Sequence, residues 1–131
     1  MTKEIFEKIK SRLKFAADGL IPAIIQEARS TKVLTLCYMN EAALQKTLEE
    51  KYIYVFRRSQ NKLMKKGETS GHVQAVKEFR IDCEGKSVLF VIDQKVAGCH
   101  KGYLSCYFEK FLDNGESQIT DELMFDPKRV Y

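Results

Sequence analysis

The chain has 131 residues, the size of one domain, and its 44% hydrophobic and 31% charged composition with seven Gly and two Pro excludes a disordered or collagen-like polypeptide. The longest unbroken apolar run, Val88 to Ile92, is far short of the roughly 20 residues a spanning helix needs, so a membrane helix is excluded as well. The net charge of +4 is concentrated: Arg57, Arg58, Lys62, Lys65 and Lys66, with no acid among them, put +5 into the segment from Arg57 to Lys66 and leave −1 for the rest of the chain. Such a segment is either a pocket for a polyanion, nucleic acid or a small phosphorylated ligand, or a solvated basic loop.

In chain order, Ile5, Ile9, Leu13 and Ala16 or Ala17 recur at helical spacing among lysines and predict a short amphipathic helix over residues 3–17. This charge alternation is not a secretory signal, so the cytoplasm is the expected address. Gly19 stops the helix, Pro22 opens an extended stretch through Ala28, and Thr31 to Met39 reads as a buried strand. Asn40 is the expected N-cap of a helix over Glu41 to Glu50, with Ala43, Leu44, Thr47 and Leu48 on one face, followed by a strand from Tyr52 to Phe56. Gly67 to Gly71 is a loop. His72 to Ile81 and Ser87 to Asp93 form a hairpin about the Glu84-Gly85 turn, the second strand apolar enough to be buried on both faces. Tyr103 to Phe111 is the last expected strand, before a polar tail with a turn at Asn114-Gly115.

Four cysteines in a chain with a cytoplasmic address are thiols or metal ligands rather than disulfides. Cys37 lies in an apolar run and belongs to the core. Cys83, Cys99 and Cys106 lack the C-x-x-C knuckles of a closed structural zinc site, and spacing alone leaves a three-ligand open metal site and ordinary half-buried thiols as alternatives. His72, just after a glycine loop, reads as a hydrogen-bonding turn residue. His100, beside Cys99, is the better catalytic candidate.

Five stretches then carry a family resemblance: Gly19-Leu20-Ile21-Pro22-Ala23-Ile24-Ile25-Gln26, Tyr38-Met39-Asn40-Glu41-Ala42-Ala43-Leu44, Lys66-Gly67-Glu68-Thr69-Ser70-Gly71-His72-Val73-Gln74, Asp82-Cys83-Glu84, and Cys99-His100-Lys101-Gly102-Tyr103-Leu104-Ser105-Cys106. In this order, over residues 13–108, the chain resembles phosphoribosyl-AMP cyclohydrolase, the histidine-biosynthesis enzyme that opens a purine ring. The resemblance implies one domain over residues 1–131, with residues 1–12 a helical extension and 112–131 a polar tail. It implies an α+β or mainly β fold, antiparallel strands forming a two-sheet pseudobarrel in an interlocked homodimer. It further implies zinc on Cys83, Cys99 and Cys106, completed across the dimer interface, and magnesium on carboxylates such as Asp82 and Glu84. The chain departs from the family pattern at Glu84 and Lys86, where carboxylates of the type Asp are usual, and at Leu104, where an arginine is usual. Lys86 either replaces the magnesium's charge or points into water.

The implied reaction adds water to C6 of a purine nucleotide and breaks the N1–C6 bond. Hydroxide and a protonated leaving nitrogen are required. Zinc supplies the first by acidifying bound water, and three thiolates make it a weak Lewis acid, so a base, His100 or Glu68, is expected to share the work. Zinc deaminases divide the labour in a comparable way. A substrate with two phosphomonoesters carries close to −4, which the basic segment answers through Arg58, Ser59 and Lys66, with Thr69 and Ser70 beside them. The expected partners are therefore a phosphorylated purine nucleotide and a second copy of the chain, with no nucleic acid and no membrane. Two alternatives stand beside this reading: a diverged zinc hydrolase for another purine nucleotide, and a non-catalytic nucleotide- or RNA-binding module.

Overall fold

The computed structural model describes residues 1–130; Tyr131, the end of the expected tail, lies outside the described residues. The elements are α1 (Lys3–Lys10), β1 (Ile21–Glu27), β2 (Val33–Met39), α2 (Glu41–Glu50), β3 (Tyr54–Arg57), β4 (Lys62–Lys65), β5 (Gln74–Ile81), β6 (Val88–Gln94), β7 (Glu109–Phe111), β8 (Ser117–Ile119) and α3 (Pro127–Val130), with one 3-10 turn at Arg58–Gln60. Where local chemistry is strong, the expected elements stand. Asn40 caps α2, its Oδ1 accepting from the Ala43 N–H at 2.8 Å, and Ala43, Leu44, Thr47 and Leu48 are its buried face. The helix stops at Lys51, in the left-handed conformation.

The N-terminal helix is shorter than its spacing suggests, ending at Lys10 rather than running to residue 17. Tertiary contact takes over from there: the Lys14 N–H donates to the Gly85 carbonyl at 2.7 Å, so the chain from Arg12 onward lies along the β5–β6 turn. Gly85, at φ +72°, is required because a Cβ would overlap the Arg12 carbonyl. Phe6 joins the core formed by α2, β1, β2 and β6, with Ile21, Ile25, Leu34, Met39, Leu44, Phe90 and Ile92. Burial of each such large apolar side chain contributes about 1.5–3 kcal/mol.

The main sheet has the order β2-β1-β6-β5, and it corrects the expectation of antiparallel strands throughout: β1 and β6 run parallel, the other two pairs antiparallel. Two hairpins far apart in sequence are laid edge to edge, and the long connection between β1 and β6 removes the constraint toward antiparallel pairing that a short turn imposes. β6 is central and, as its apolar run implies, buried along most of its length. Among the described residues the sheets do not close into a barrel; β3–β4 and β7–β8 are separate two-stranded sheets. On the sheet face opposite the core, Ile24 pairs with Leu36 and Pro22 with Tyr38, and Ile24, Leu36 and Tyr38 are exposed.

The strand expected over Tyr103 to Phe111 is reduced to Glu109–Phe111. Residues just before it are captured by the edge of β2, where the Cys106 N–H donates to the Leu34 carbonyl at 2.7 Å and Ser105 Oγ to the Val33 carbonyl at 2.7 Å. The Asn114-Gly115 turn joins β7 to β8, giving the polar tail a hairpin.

Two neutral acids give the fold an alkaline limit. Cys37 donates its thiol to the Ala23 carbonyl at 3.6 Å, and burial pushes its pKa from 9.0 up to about 11. Burial, and then the Glu50 carboxylate 2.8 Å from the hydroxyl, push Tyr54 from 10.0 up to about 12. Each group stays protonated in the fold after its unfolded counterpart has ionised, so the stability it contributes is complete below about pH 9 and is lost as pH rises toward about 12. The thermal midpoint should therefore be level up to about pH 9 and fall above it. Cys37→Ala, a small core change expected to retain activity, should delay the onset toward the Tyr54 range; a midpoint unchanged through the whole window would contradict this.

Candidate functional site

A cleft of about 360 Å³ opens between the β3–β4 hairpin with the loop that follows it and the segment beyond β6. The first wall presents Arg57 from β3, Lys65 from β4, and Lys66, Glu68, Thr69 and Ser70 from the loop; the second presents His100 and Cys106, and His72 lies between them. The loop is held by the Lys66 N–H on the Ile53 carbonyl at 2.9 Å and by the Gly71 N–H on the Gly67 carbonyl at 2.8 Å. Gly67, at φ +83°, is packed so closely on the His72 carbonyl that a Cβ would overlap it. Three cations of the basic segment thus converge on one concave surface, beside hydroxyls that accept and donate hydrogen bonds.

Of the residues expected from sequence to bind phosphate, Lys66, Thr69 and Ser70 line the cleft. Arg58 and Ser59 do not: Arg58 sits over the Tyr38 ring, 5.2 Å from its centroid, with Nη1 3.4 Å from Asp18 Oδ2. Arg57 takes the place expected for Arg58. The signal for it was available, because alternate residues of a strand share a face, and Val55 and Arg57 both line the cleft. Lys65 was hidden for the opposite reason. Its strand, Lys62 to Lys65, reads Lys-Leu-Met-Lys and has no apolar alternation, so it exists only as the partner of β3. His72 does make the expected turn, its N–H donating to Ser70 Oγ at 3.2 Å, but the residue also lines the cleft, its ring edge-on to Phe125 with centroids 4.7 Å apart.

The segment after β6 brings two thiols together. The Gly98 N–H donates to the Leu104 carbonyl at 2.8 Å and the Cys99 N–H to the Tyr103 carbonyl at 3.0 Å, so residues 98–104 fold back on themselves and deliver Cys106 to Cys99. The two thiols are near enough to interact; Cys99 is buried, Cys106 exposed on the cleft. Burial pushes the Cys99 thiol up, opposed by the Lys101 N–H at 3.4 Å from its sulfur, while Cys106 raises it further. Cys83 is elsewhere, exposed in the β5–β6 turn, at the end of β6 opposite to the one that leads to Cys99. Among the described residues, no three His, Cys, Asp or Glu side chains are grouped to hold a metal ion. The paired thiols of Cys99 and Cys106 suit a soft divalent cation such as Zn²⁺, and a third ligand has to come from outside this set.

The carboxylates beside Cys83 are already occupied. Asp82 Oδ2 accepts from Ser87 Oγ at 2.5 Å and Oδ1 accepts from the Glu84 and Lys86 N–H groups at 2.9 and 3.0 Å; Ser87 first, then these backbone bonds, hold its carboxyl below the usual range. Glu84 Oε2 is 3.2 Å from Lys86 Nζ. A magnesium ion needs carboxylate oxygens and water in a near-octahedral shell. This set, with one carboxylate closing a turn and the other paired to an ammonium, does not fit it.

Residues 35–108 match the family model described as Phosphoribosyl-AMP cyclohydrolase. The chain is 53% identical over 114 residues to the phosphoribosyl-AMP cyclohydrolase of Desulforapulum autotrophicum, covering 86% of this chain and 91% of the relative. It is 43% identical over 130 residues to the Chlorobium chlorochromatii protein of the same name, covering 99% and 92% of the two, and 45% identical over 114 residues to the one from Methanosarcina acetivorans, covering 87% and 92%. No helix among the described residues is long and apolar enough to cross a membrane.

Proposed function

The chain belongs to the phosphoribosyl-AMP cyclohydrolase family, and from this membership we propose that it hydrolyses the purine ring of phosphoribosyl-AMP in histidine biosynthesis, in the cytoplasm, with zinc as its metal. The observation that carries the reading is the joint presence, on one cleft, of a cationic wall and a wall bearing His100 and Cys106. Arg57, Lys65 and Lys66 bind the phosphates of a substrate carrying close to −4, with Thr69 and Ser70 hydroxyls alongside. Arg57 offers a planar fork, the two lysines point charges. This places the purine against the opposite wall, where water attacks C6 and the N1–C6 bond breaks.

Cys99 and Cys106, with Cys83 of a second copy, would hold a zinc ion, and a zinc bound there would acidify a water. His100 and Glu68, both on the cleft, are the groups we assign to take the proton from the attacking water and return it to the leaving N1. The exposed strip of Ile24, Leu36 and Tyr38 supports the homodimer, since an apolar sheet face is stabilised when a second copy covers it. The thiol pair argues against the RNA-binding alternative, because a backbone-binding module has no use for a cysteine on its cleft backed by a second, buried one.

Purified protein incubated with phosphoribosyl-AMP should change the ultraviolet absorbance of the nucleotide, and a zinc chelator should stop the change. An inert nucleotide in the presence of zinc would sink the reading. Tight RNA binding with a steep log-log salt slope would favour the binding module instead. In addition, the Lys86–Glu84 pair and the engaged Asp82 carboxylate predict that turnover at constant zinc is indifferent to free Mg²⁺. Rate measured across a magnesium titration decides this; strong activation would show that Lys86 does not replace the ion's charge.

A further inference from the structure

The chain has two histidines, and they reach the cleft from different loops, His72 ahead of β5 and His100 beyond β6. Both loops leave the sheet at one point. Gln74, the first residue of β5, is the register partner of Gln94, the last residue of β6, and there side chains extend the ladder. Gln74 Nε2 donates to Gln94 Oε1 at 2.6 Å; Gln94 Nε2 donates to the His72 carbonyl at 3.2 Å and to the Lys95 carbonyl at 3.0 Å. Gly98, next to Cys99, closes on the same pair: a Cβ there would stand 3.1 Å from Gln94 Oε1. The backbone of Gln74 reaches the other wall too, its carbonyl accepting from the Ile53 N–H at 3.1 Å, while the Ile53 carbonyl accepts from Lys66.

Gln74 is fully buried, and its Oε1 has no hydrogen-bond partner. An unpaired amide oxygen is costly to bury, and a methionine of similar length would avoid that cost. Stability therefore does not account for the amide, whereas the geometry it imposes does. Resting on the cyclohydrolase reading above, we propose that Gln74 and Gln94 are positioning residues for the reaction. Their amide pair sets the separation between the Lys66–His72 side of the cleft and the Cys99–His100–Cys106 side. Neither lines the cleft, so they act through the loops. A displacement of about 1 Å between reacting groups can cost on the order of 10²-fold in rate.

The test compares Gln94→Met with the double variant Gln74→Met/Gln94→Met. The single change leaves the Gln74 amide wholly unpaired in the interior and should lower the melting temperature; the double change removes both amides and should bring it back toward the parent. In the double variant kcat for phosphoribosyl-AMP should remain roughly 10–100-fold below the parent, with KM changed less than about threefold and zinc content intact. Recovery of kcat together with the melting temperature would overturn the proposal, since a purely structural pair predicts it. If the double variant does not fold, Gln94→Asn keeps an amide that is one methylene too short for both carbonyls, and full kcat there is equally fatal. Should the parent itself fail to act on phosphoribosyl-AMP, the functional reading falls alone. The imidazole signals of His72, resolvable by NMR in a chain with two histidines, then decide the pair's role: several signals in the double variant support it, and one unshifted signal refutes it.

Discussion

Cys99→Ala and Cys106→Ala should each remove zinc and activity together and leave the fold standing. The two thiols are neighbours on a segment that folds back on itself through backbone bonds, Gly98 to Leu104 and Cys99 to Tyr103, and is anchored to β2 through Cys106 and Ser105, so truncating either side chain leaves that framework in place. Two adjacent thiols and a third from a second copy are the minimum for an open three-ligand site, and losing one of three is expected to lower metal affinity below what purification tolerates. Metal analysis of protein purified reduced and without chelators is the first readout, expected to give zinc in the parent and none in either variant. Sedimentation is the second. If Cys83 of a second copy completes the site, chelation or either substitution should shift the protein toward monomer, although the apolar strip on β1 and β2 still contributes to association. A parent that contains no zinc, or a Cys106→Ala variant with full turnover, would count decisively against the metal centre.

His100→Ala should separate ligand from base. His100 follows Cys99 in the chain, but Cys99 is buried, its thiol interacting with that of Cys106, while His100 is exposed and lines the same cleft as Glu68. A group that shuttles a proton contributes about 10²–10⁴-fold to rate, so the variant should keep its zinc and lose roughly 10²-fold or more in kcat. Glu68→Gln is the companion experiment, since Glu68 is the other residue proposed to carry the proton. If His100→Ala strips the zinc, His100 is a fourth ligand and the open-site argument fails. If it changes nothing while Glu68→Gln abolishes turnover, the proton belongs to Glu68.

The sequence by itself determined what depends on neighbours along the chain. Asn40 and the Ala43, Leu44, Thr47, Leu48 spacing define α2, the apolar Val88 to Ile92 run defines a buried strand, and Asn114-Gly115 defines a turn, because caps, periodicity and turn chemistry act over a few residues. The five motifs likewise carried the family, and the clustering of charge between Arg57 and Lys66 carried the cationic wall of the cleft. Tertiary structure decided everything that needs distant segments to meet. It made β1 and β6 parallel, ended α1 at Lys10 in favour of contact with Gly85, and turned Lys62 to Lys65 into a strand that only its partner stabilises. It chose Arg57 over Arg58, through the alternation of β3 and the pairing of Arg58 with Asp18. It also brought Cys99 to Cys106 and kept Cys83 at the far end of β6. No pattern local to the sequence encodes such distances; they follow from which strands share hydrogen bonds, and that is a balance of packing over the whole chain.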